Sequence, residues 1–259
     1  MRRTKIVATI GPATRSSEAL GALIDAGVDV VRVNFAHDTP DAHQKTVTGA
    51  RELAGRLDRT VGALVDLPGP KMRTGPIEGD EVELQQGEAF VLTDDDAEGN
   101  AQRVSTTVAG LGGMVSEGEE IYLADGEIVL RVDAVEDGDV RTEIVRGGML
   151  RSRKGMHVPG AERAVQAFTE GDRRALEVAL TFRPDLVGLS FVRDADDVSR
   201  ARDALPKRGH RPMLLAKIET ASALQNLGDI IDAADAVMVA RGDLGIQMRG
   251  HLADLRTRQ

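Results

Sequence analysis

The chain has 259 residues, enough for one large domain or two smaller ones with a sizeable core. It has no cysteine, which excludes disulfides and thiolate metal sites, and its net charge of −9 argues against nucleic acid as a main partner. No apolar run reaches the roughly 18 residues of a membrane span, and the start lacks a signal-peptide pattern. We therefore predict a soluble, cytoplasmic protein with neither a nucleic-acid nor a membrane partner.

The first part of the chain alternates short apolar strands with helices. Serine at the start of the first predicted helix and Thr39 at the start of the second are suited to capping, and Gly27 is suited to ending the first. Pro40 falls in the first turn of the second helix, where proline is favoured. The predicted elements are strands at 5–10, 28–35 and 61–67, a helix from Ser16 or Ser17 to Gly27, and a helix from Thr39 to Leu57.

The pattern changes after Gly75, where short runs of alternating apolar and polar residues appear. Residues 81–84 and 90–93 are such runs. Asp125-Gly126 is a strong hairpin signal between two more of them, and Asp137-Gly138 predicts a second turn. Residues 74–153 are therefore predicted to form a small all-β domain inserted into an α/β domain.

The α/β alternation resumes after Pro159 and brings the predicted strands of this type to six. Near-continuous apolar strands joined by helices imply a parallel sheet covered on its faces. Six strands fit either a doubly wound sheet or three-quarters of an eight-stranded barrel. The later elements are strands at 186–192, 213–217 and 237–240 and helices at 169–180, 195–205 and 221–232.

Nearly every α/β strand ends in residues that carry chemistry, a distribution that favours a barrel, because barrel active sites lie at the carboxyl ends of the strands. Lys217, Glu219 and Asp243 are the most informative of these residues. Two carboxylates beside a lysine can hold a divalent metal and a phosphate together, which points to phosphoryl transfer. The strand ends are Gly11-Pro12, Arg32 to His37, Asp66 to Arg73, Ser190 to Arg193, Lys217 to Glu219 and Arg241 to Asp243.

Six segments in this order, with the β insertion after the third strand, resemble pyruvate kinase. The resemblance covers residues 3–246 and implies an enzyme of glycolysis that transfers the phosphoryl group of phosphoenolpyruvate to ADP, giving pyruvate and ATP. It implies a (β/α)₈ barrel, incomplete here at about six of eight units, with barrel parts at 1–73 and 154–247. The matching segments are Thr4 to Pro12, Val31 to His37, Asp66 to Gly75, Lys154 to Gly160, Ala216 to Glu219 and Met238 to Gly245.

The resemblance also assigns roles to individual residues. Lys217 is expected to be the catalytic residue and, with Arg32, Gly242 and Asp243, to bind the substrate. Taken alone, Arg32 also fits a structural ion pair, His37 a surface histidine, and Glu219 a helix cap or ion pair. Glu219 and Asp243 are the expected ligands of Mg²⁺ or Mn²⁺, and Asn34, His37, Arg73 and Lys154 the expected contacts of the ADP phosphates.

The region that binds K⁺ in many family members differs here. Asn34 and Asp66 are present, but Leu67 replaces a threonine, Ala36 replaces a serine, and Lys71 takes the place of a glutamate. This combination resembles the K⁺-independent members, and the ammonium of Lys71 is the expected substitute for the cation because it supplies the same unit charge. We expect K⁺ not to be required. The competing interpretation is that Lys71 only pairs with Asp66.

The sequence departs from the family pattern after Ile246. Residues 248–259 form an atypical tail, and the last two barrel strands and the C-terminal regulatory domain of the family are predicted to be absent. Family members are homo-oligomers through that domain, so the same assembly is not expected here, and activity of this chain is expected to be weak. The alternatives are a non-catalytic fragment that needs a partner chain, or another metal-dependent barrel enzyme acting on phosphoenolpyruvate or oxo-acids.

Overall fold

The computed structural model describes residues 3–159, 161 and 165–245. The described residues divide into two compact units, an α/β unit within Met1–Pro70 and Ala167–Ala240 and a β unit within Lys71–Gln166 and Arg241–Gln259. The predicted domain boundaries at 73/74 and 153/154 stay predictions, and the predicted tail at 248–259 lies outside the described residues. In the described part of the chain, no helix is both long enough and apolar enough to span a membrane.

The elements follow one another in the alternating order expected of an α/β unit with an insertion. In chain order they are β1 (Val7–Thr9), α1 (Ser17–Asp25), β2 (Val30–Asn34), α2 (Pro40–Arg56), β3 (Gly62–Asp66), β4 (Glu81–Leu84), β5 (Ala89–Thr93), β6 (Arg103–Ser105), β7 (Glu120–Leu123), β8 (Ile128–Glu136), β9 (Asp139–Arg146), β10 (Gly148–Arg151), β11 (Met156–His157), α3 (Glu170–Leu180), β12 (Leu186–Leu189), α4 (Ala195–Ala204), β13 (Met213–Ile218), α5 (Ala221–Gln225), α6 (Leu227–Ala233) and β14 (Ala236–Val239).

The α/β unit is built on a six-stranded sheet in the order β1-β2-β3-β12-β13-β14, with every pairing parallel. Each strand lies beside the next strand of the unit along the chain. A doubly wound sheet reverses its strand order at a switch point, whereas a (β/α) barrel does not. The order therefore excludes the doubly wound sheet, and the prediction of an incomplete (β/α) barrel is confirmed.

Aliphatic side chains fill the core between this sheet and its helices, as the scarcity of aromatic residues requires. Packing of the helices against the sheet removes these side chains from water, and this burial is the main driving force for folding. Fully buried examples are Ile24, Val47, Val65, Val187, Ala201, Leu214 and Ile230.

Capping residues set the helix boundaries much as the sequence predicts. The Ser16 and Thr39 side chains accept bonds from the amides of Ala19 and Ala42. The single helix predicted at 221–232 is wrong, because two helices, α5 and α6, meet at Asn226. This residue leaves helical geometry (φ −105°, ψ 21°), and its side-chain amide donates to the Arg193 carbonyl at 3.0 Å.

The β unit contains a six-stranded sheet in the order β11-β7-β8-β9-β5-β6 and the two-stranded pair β10-β4. The turn predicted at Asp137-Gly138 joins β8 to β9, and both residues have positive φ (52° and 95°), as a type I′ turn requires. The predicted hairpin at Asp125-Gly126 is present between β7 and β8. Its connection is four residues long, 124–127, rather than two.

Candidate active site

Charged side chains from several strands of the α/β unit converge at one edge of its sheet. Parallel register aligns the ends of β2, β3 and β12, since Asn34 pairs with Asp66 and Gly188 pairs with Asp66 on the other side. β13 continues the series next to β12. The carboxyl ends of four neighbouring strands therefore meet, and they carry Arg32, Asp66, Ser190, Lys217 and Glu219, which we call the buried charge cluster.

Arg32 is held from two sides within this cluster. Its Nε donates to Asp66 Oδ2 at 3.0 Å, its Nη2 donates to the same oxygen, and its Nη1 donates to Thr9 Oγ1 at 3.0 Å. A guanidinium has five N–H groups. Two of the five therefore have no partner among the described residues, one on each terminal nitrogen. The ion pair anticipated as an alternative for Arg32 exists, and it leaves two N–H donors of the guanidinium for a further acceptor such as a phosphate.

Lys217 is 7% exposed and its ammonium contacts three oxygens. Nζ donates a hydrogen bond to Ser190 Oγ at 2.8 Å. It also makes ion-pair contacts with Glu219 Oε1 at 2.8 Å and Asp66 Oδ1 at 3.3 Å. Lys217 is therefore not a surface lysine. Its three contacts explain how it can be buried, because lysines are almost never fully buried unless they are paired.

Glu219 is fully buried, and its second oxygen is held by the backbone. The N–H of Phe191 donates to Glu219 Oε2 at 2.7 Å. Phe191 adopts a left-handed conformation (φ 55°), which is uncommon for a bulky residue and tends to occur at functional sites. With two cations and two carboxylates, the buried charge cluster is close to neutral, which limits the cost of taking these charges out of water.

Glycine permits close packing around the cluster. Gly69 has a left-handed φ of 65°, and a Cβ there would lie 2.9 Å from Ser190 Cβ. A Cβ at Gly188 would approach Asp66 Oδ1 to 3.1 Å. The Gly69 amide is also held by Asp172 Oδ1 at 2.9 Å. The turn after β3 is therefore pressed against the end of β12.

Asn34 and His37 lie in the turn that follows β2. Asn34 Oδ1 accepts the Ala36 amide at 3.0 Å, and the His37 amide donates to the Asn34 carbonyl at 3.1 Å. From α2, His43 bonds the His37 carbonyl through Nε2 at 2.8 Å and stacks on Phe35 with ring centroids 4.5 Å apart. Burial lowers the pKa of His43. These contacts hold the turn, and His43, which the sequence analysis did not single out, contributes two of them.

Arg73 and Lys154, the other predicted nucleotide contacts, meet within the β unit. Arg73 pairs with Gly155 in an antiparallel bridge, and its Nη1 donates to the Arg153 carbonyl at 3.0 Å. The Thr74 amide donates to the Lys154 carbonyl at 2.9 Å. Two cationic residues far apart in sequence therefore lie on adjacent backbone segments.

For four further predicted site residues, the structure establishes fewer details of their position. The Leu67 carbonyl accepts Ser190 Oγ at 2.7 Å, so it lies at the cluster. Lys71 is the first residue of the β unit, and its position against Asp66 stays a prediction. Gly242 and Asp243 lie in the helical residues 241–245, and their placement against Glu219 also stays a prediction.

The oxygen donors suit a hard divalent cation that keeps several waters. Within the described ranges, no group of three or more His, Cys, Asp or Glu side chains is arranged to hold a metal ion. Glu219 is a fully buried carboxylate, an oxygen donor of the kind that Mg²⁺ accepts. The chemistry of this residue fits such a cation, and the second carboxylate, Asp243, stays a prediction.

The sequence reasoning missed the parts of Ser190, Phe191 and Thr9 in this cluster. Ser190 and Phe191 belong to a strand end that it recognised as chemically rich. The contacts themselves join residues 23 to 123 positions apart, so no local pattern could have assigned them.

Comparisons with known proteins agree with this architecture. The family described as pyruvate kinase, barrel domain, matches residues 1–252. The chain is similar to proteins named pyruvate kinase from Thermococcus litoralis (43% identical over 246 residues, 95% of this chain and 52% of the relative), Thermotoga maritima (39% over 248, 96% and 53%) and Corynebacterium glutamicum (41% over 248, 95% and 52%).

The chain spans about half the length of the curated relatives it matches. The alternative of a different metal-dependent barrel enzyme is wrong, because the family match covers nearly all of the chain and includes the residues of the buried charge cluster. By this match and these identities, the chain belongs to the pyruvate kinase family.

Proposed function

We propose that this chain carries the phosphotransfer site of a pyruvate kinase, which moves the phosphoryl group of phosphoenolpyruvate to ADP and yields pyruvate and ATP in glycolysis. The observation that supports this most is the buried charge cluster at the carboxyl ends of four parallel strands. A buried lysine, an arginine with donors to spare and a buried carboxylate are the groups that phosphoryl transfer needs.

Arg32 binds the phosphate of the substrate. Asp66 and Thr9 fix the guanidinium plane, and two of its N–H groups remain for the anion. Such paired bonds fix the orientation of a phosphate as well as its position. In this proposal Gly242 and Asp243 offer backbone amides in the first turn of the helical residues 241–245 to the substrate carboxylate.

Lys217 is the catalytic residue. Its ammonium lies in a nearly dry environment, where a positive charge stabilises developing negative charge more strongly than in water. It is fixed before the reaction by its three oxygen contacts, so little reorganisation is needed when charge develops on the transferring group.

The pyruvate kinase family implies a divalent metal, and we propose Mg²⁺ or Mn²⁺ held by Glu219 and Asp243. When bound, such an ion neutralises charge on the phosphoryl oxygens. The backbone N–H of Phe191 donates a hydrogen bond to Glu219 Oε2 and so orients this carboxylate for binding the metal.

The phosphates of ADP are proposed to be bound by Asn34, His37, Arg73 and Lys154. We propose that K⁺ is not required, because Lys71 supplies a positive charge to the region of Asn34, Asp66 and Leu67. A cytoplasmic location and the lack of a nucleic-acid partner remain part of the proposal.

Calorimetry and a coupled pyruvate assay with Mg²⁺ test the central claim. The 259-residue chain is expected to bind phosphoenolpyruvate, and Lys217→Met is expected to abolish any turnover while leaving Mn²⁺ binding nearly intact. Lys207→Met, which alters an exposed lysine on a loop, is the matched control. No binding of phosphoenolpyruvate by the unaltered chain, or equal turnover in the two variants, would contradict the proposal.

A further inference from the structure

Among the described residues, Ser190 is the only neutral side chain that accepts a hydrogen bond from the ammonium of Lys217. It follows β12, is 2% exposed, and donates through Oγ to the Leu67 carbonyl at 2.7 Å. A serine hydroxyl has one hydrogen. Because that hydrogen points to Leu67, the lone pairs of Oγ are directed elsewhere, and one of them accepts from Lys217 Nζ at 2.8 Å.

The other two contacts of the ammonium are of a different kind. Glu219 Oε1 and Asp66 Oδ1 are charged partners, which meet the ammonium as ion pairs at 2.8 and 3.3 Å. Both carboxylates also have other partners, since Asp66 accepts from Arg32 and Glu219 accepts from the Phe191 amide. A neutral acceptor can fix the place of the ammonium without cancelling its charge, whereas a carboxylate cannot.

We propose that Ser190 is a positioning residue that holds the Lys217 ammonium where charge develops during phosphoryl transfer. This inference rests on the proposed function. The position of Ser190 is constrained by its surroundings. Gly69 packs against its Cβ, and a hydrogen bond of 3.0 Å from the Leu67 amide to the Gly188 carbonyl joins the two neighbouring segments. A purely structural hydroxyl would need the Leu67 contact but not the contact with Lys217.

The ammonium itself provides a readout that does not depend on turnover. The chain has six lysines, and Lys217 is buried with three oxygen neighbours. Protons of a buried, bonded ammonium exchange with water far more slowly than those of a solvated one, because exchange requires contact with water. Nitrogen-15 labelling of lysine should therefore reveal a slowly exchanging ammonium signal from Lys217 in the unaltered chain, assigned by its loss in Lys217→Met.

Ser190→Ala is expected to abolish that signal or speed its exchange at least severalfold, and Ser190→Thr, which keeps a hydroxyl, to retain it. Thr142→Val is the matched control, because Thr142 Oγ1 is likewise buried and donates to a strand carbonyl, that of Phe90 at 2.8 Å, rather than accepting from a lysine. Thr142→Val should lose stability as Ser190→Ala does but keep the ammonium signal.

Kinetics give the second readout. Ser190→Ala is expected to lower kcat for phosphoenolpyruvate by about tenfold or more with little change in KM, the pattern of a group acting in the transition state. An ammonium signal unchanged in Ser190→Ala, or a loss confined to KM, would overturn the inference about Ser190. Failure of the unaltered chain to bind phosphoenolpyruvate would instead overturn the proposed function, and the ammonium signal would still report whether Ser190 positions Lys217.

Discussion

Replacing Gly69 by alanine tests whether the turn after β3 sets the position of Ser190. The residue has φ 65°, and an added Cβ would lie 2.9 Å from Ser190 Cβ, 3.1 Å from the Ser190 carbonyl oxygen and 3.2 Å from a ring carbon of Phe191. Two of these neighbours belong to the backbone or lie next to it, so they cannot move aside as the end of a flexible side chain would.

Gly79 provides a control with the same backbone conformation and none of the contacts. Its φ is 70°, and nothing lies within 4 Å of a Cβ built there. Both alanine variants bear the cost of a left-handed non-glycine residue, roughly 1–2 kcal/mol. Gly69→Ala alone adds overpacking, which typically costs about 1–3 kcal/mol. The expected total is about 2–5 kcal/mol for Gly69→Ala against about 1–2 kcal/mol for Gly79→Ala.

Urea denaturation of each variant, compared with the unaltered chain, measures the two costs. The ammonium signal of Lys217 adds a local readout, because displacement of Ser190 should weaken it in Gly69→Ala and leave it unchanged in Gly79→Ala. Equal losses of stability in the two variants, together with an intact signal in both, would refute the idea that the turn fixes Ser190.

Three other predictions concern stability and ion dependence. Asp172→Asn should lower the free energy of unfolding, measured with urea, by about 1–3 kcal/mol, because Asp172 accepts hydrogen bonds from both Gly69 and Thr169 and an amide can replace only part of them. Glu170→Gln, an exposed position on the same helix turn, should lower it less, and an equal loss in the two variants would contradict this prediction. Burial lowers the pKa of His157 to about 4, so the unfolded chain binds a proton between pH 6.5 and 4 that the folded chain does not. The free energy of unfolding should therefore fall by about 2 kcal/mol from pH 7 to pH 5. If the same fall with pH persists in His157→Gln, His157 is not its cause. Exchange of Na⁺ for K⁺ at constant ionic strength should leave phosphotransfer unchanged, and a rise of about tenfold or more would reject the role of Lys71.

The sequence predicts the α/β elements well because their signals are local. Apolar runs bounded by glycine or polar residues locate all six strands of the parallel sheet, with ends that shift by a few residues. What it leaves open is the order of those strands, since a periodic pattern carries no information on which strands pair. Asn226 shows the same limit at a smaller scale. Its helix break depends on a bond to Arg193, 33 residues earlier in the chain.

The candidate site divides along the same line. Lys217, Glu219 and Arg32 can be identified from motifs because each lies in a recognisable segment. Their partners cannot, because Arg32 meets Asp66 across 34 residues and Ser190 meets Leu67 across 123. Residue type also misleads, since a serine after a strand suggests a turn or cap before it suggests a partner for a buried lysine.

The near neutrality of the buried charge cluster has a consequence for ligand binding. Arg32 and Lys217 already balance Asp66 and Glu219. A phosphate bound alone would add uncompensated negative charge to this buried region, and a divalent cation bound alone would add positive charge, each at a desolvation cost. Bound together they nearly cancel. Each should therefore raise the affinity for the other, by a coupling of about 1–3 kcal/mol. Calorimetric titration of phosphoenolpyruvate with and without Mn²⁺ measures this coupling, and independent binding would mean that the cluster tolerates unbalanced charge through water that enters it.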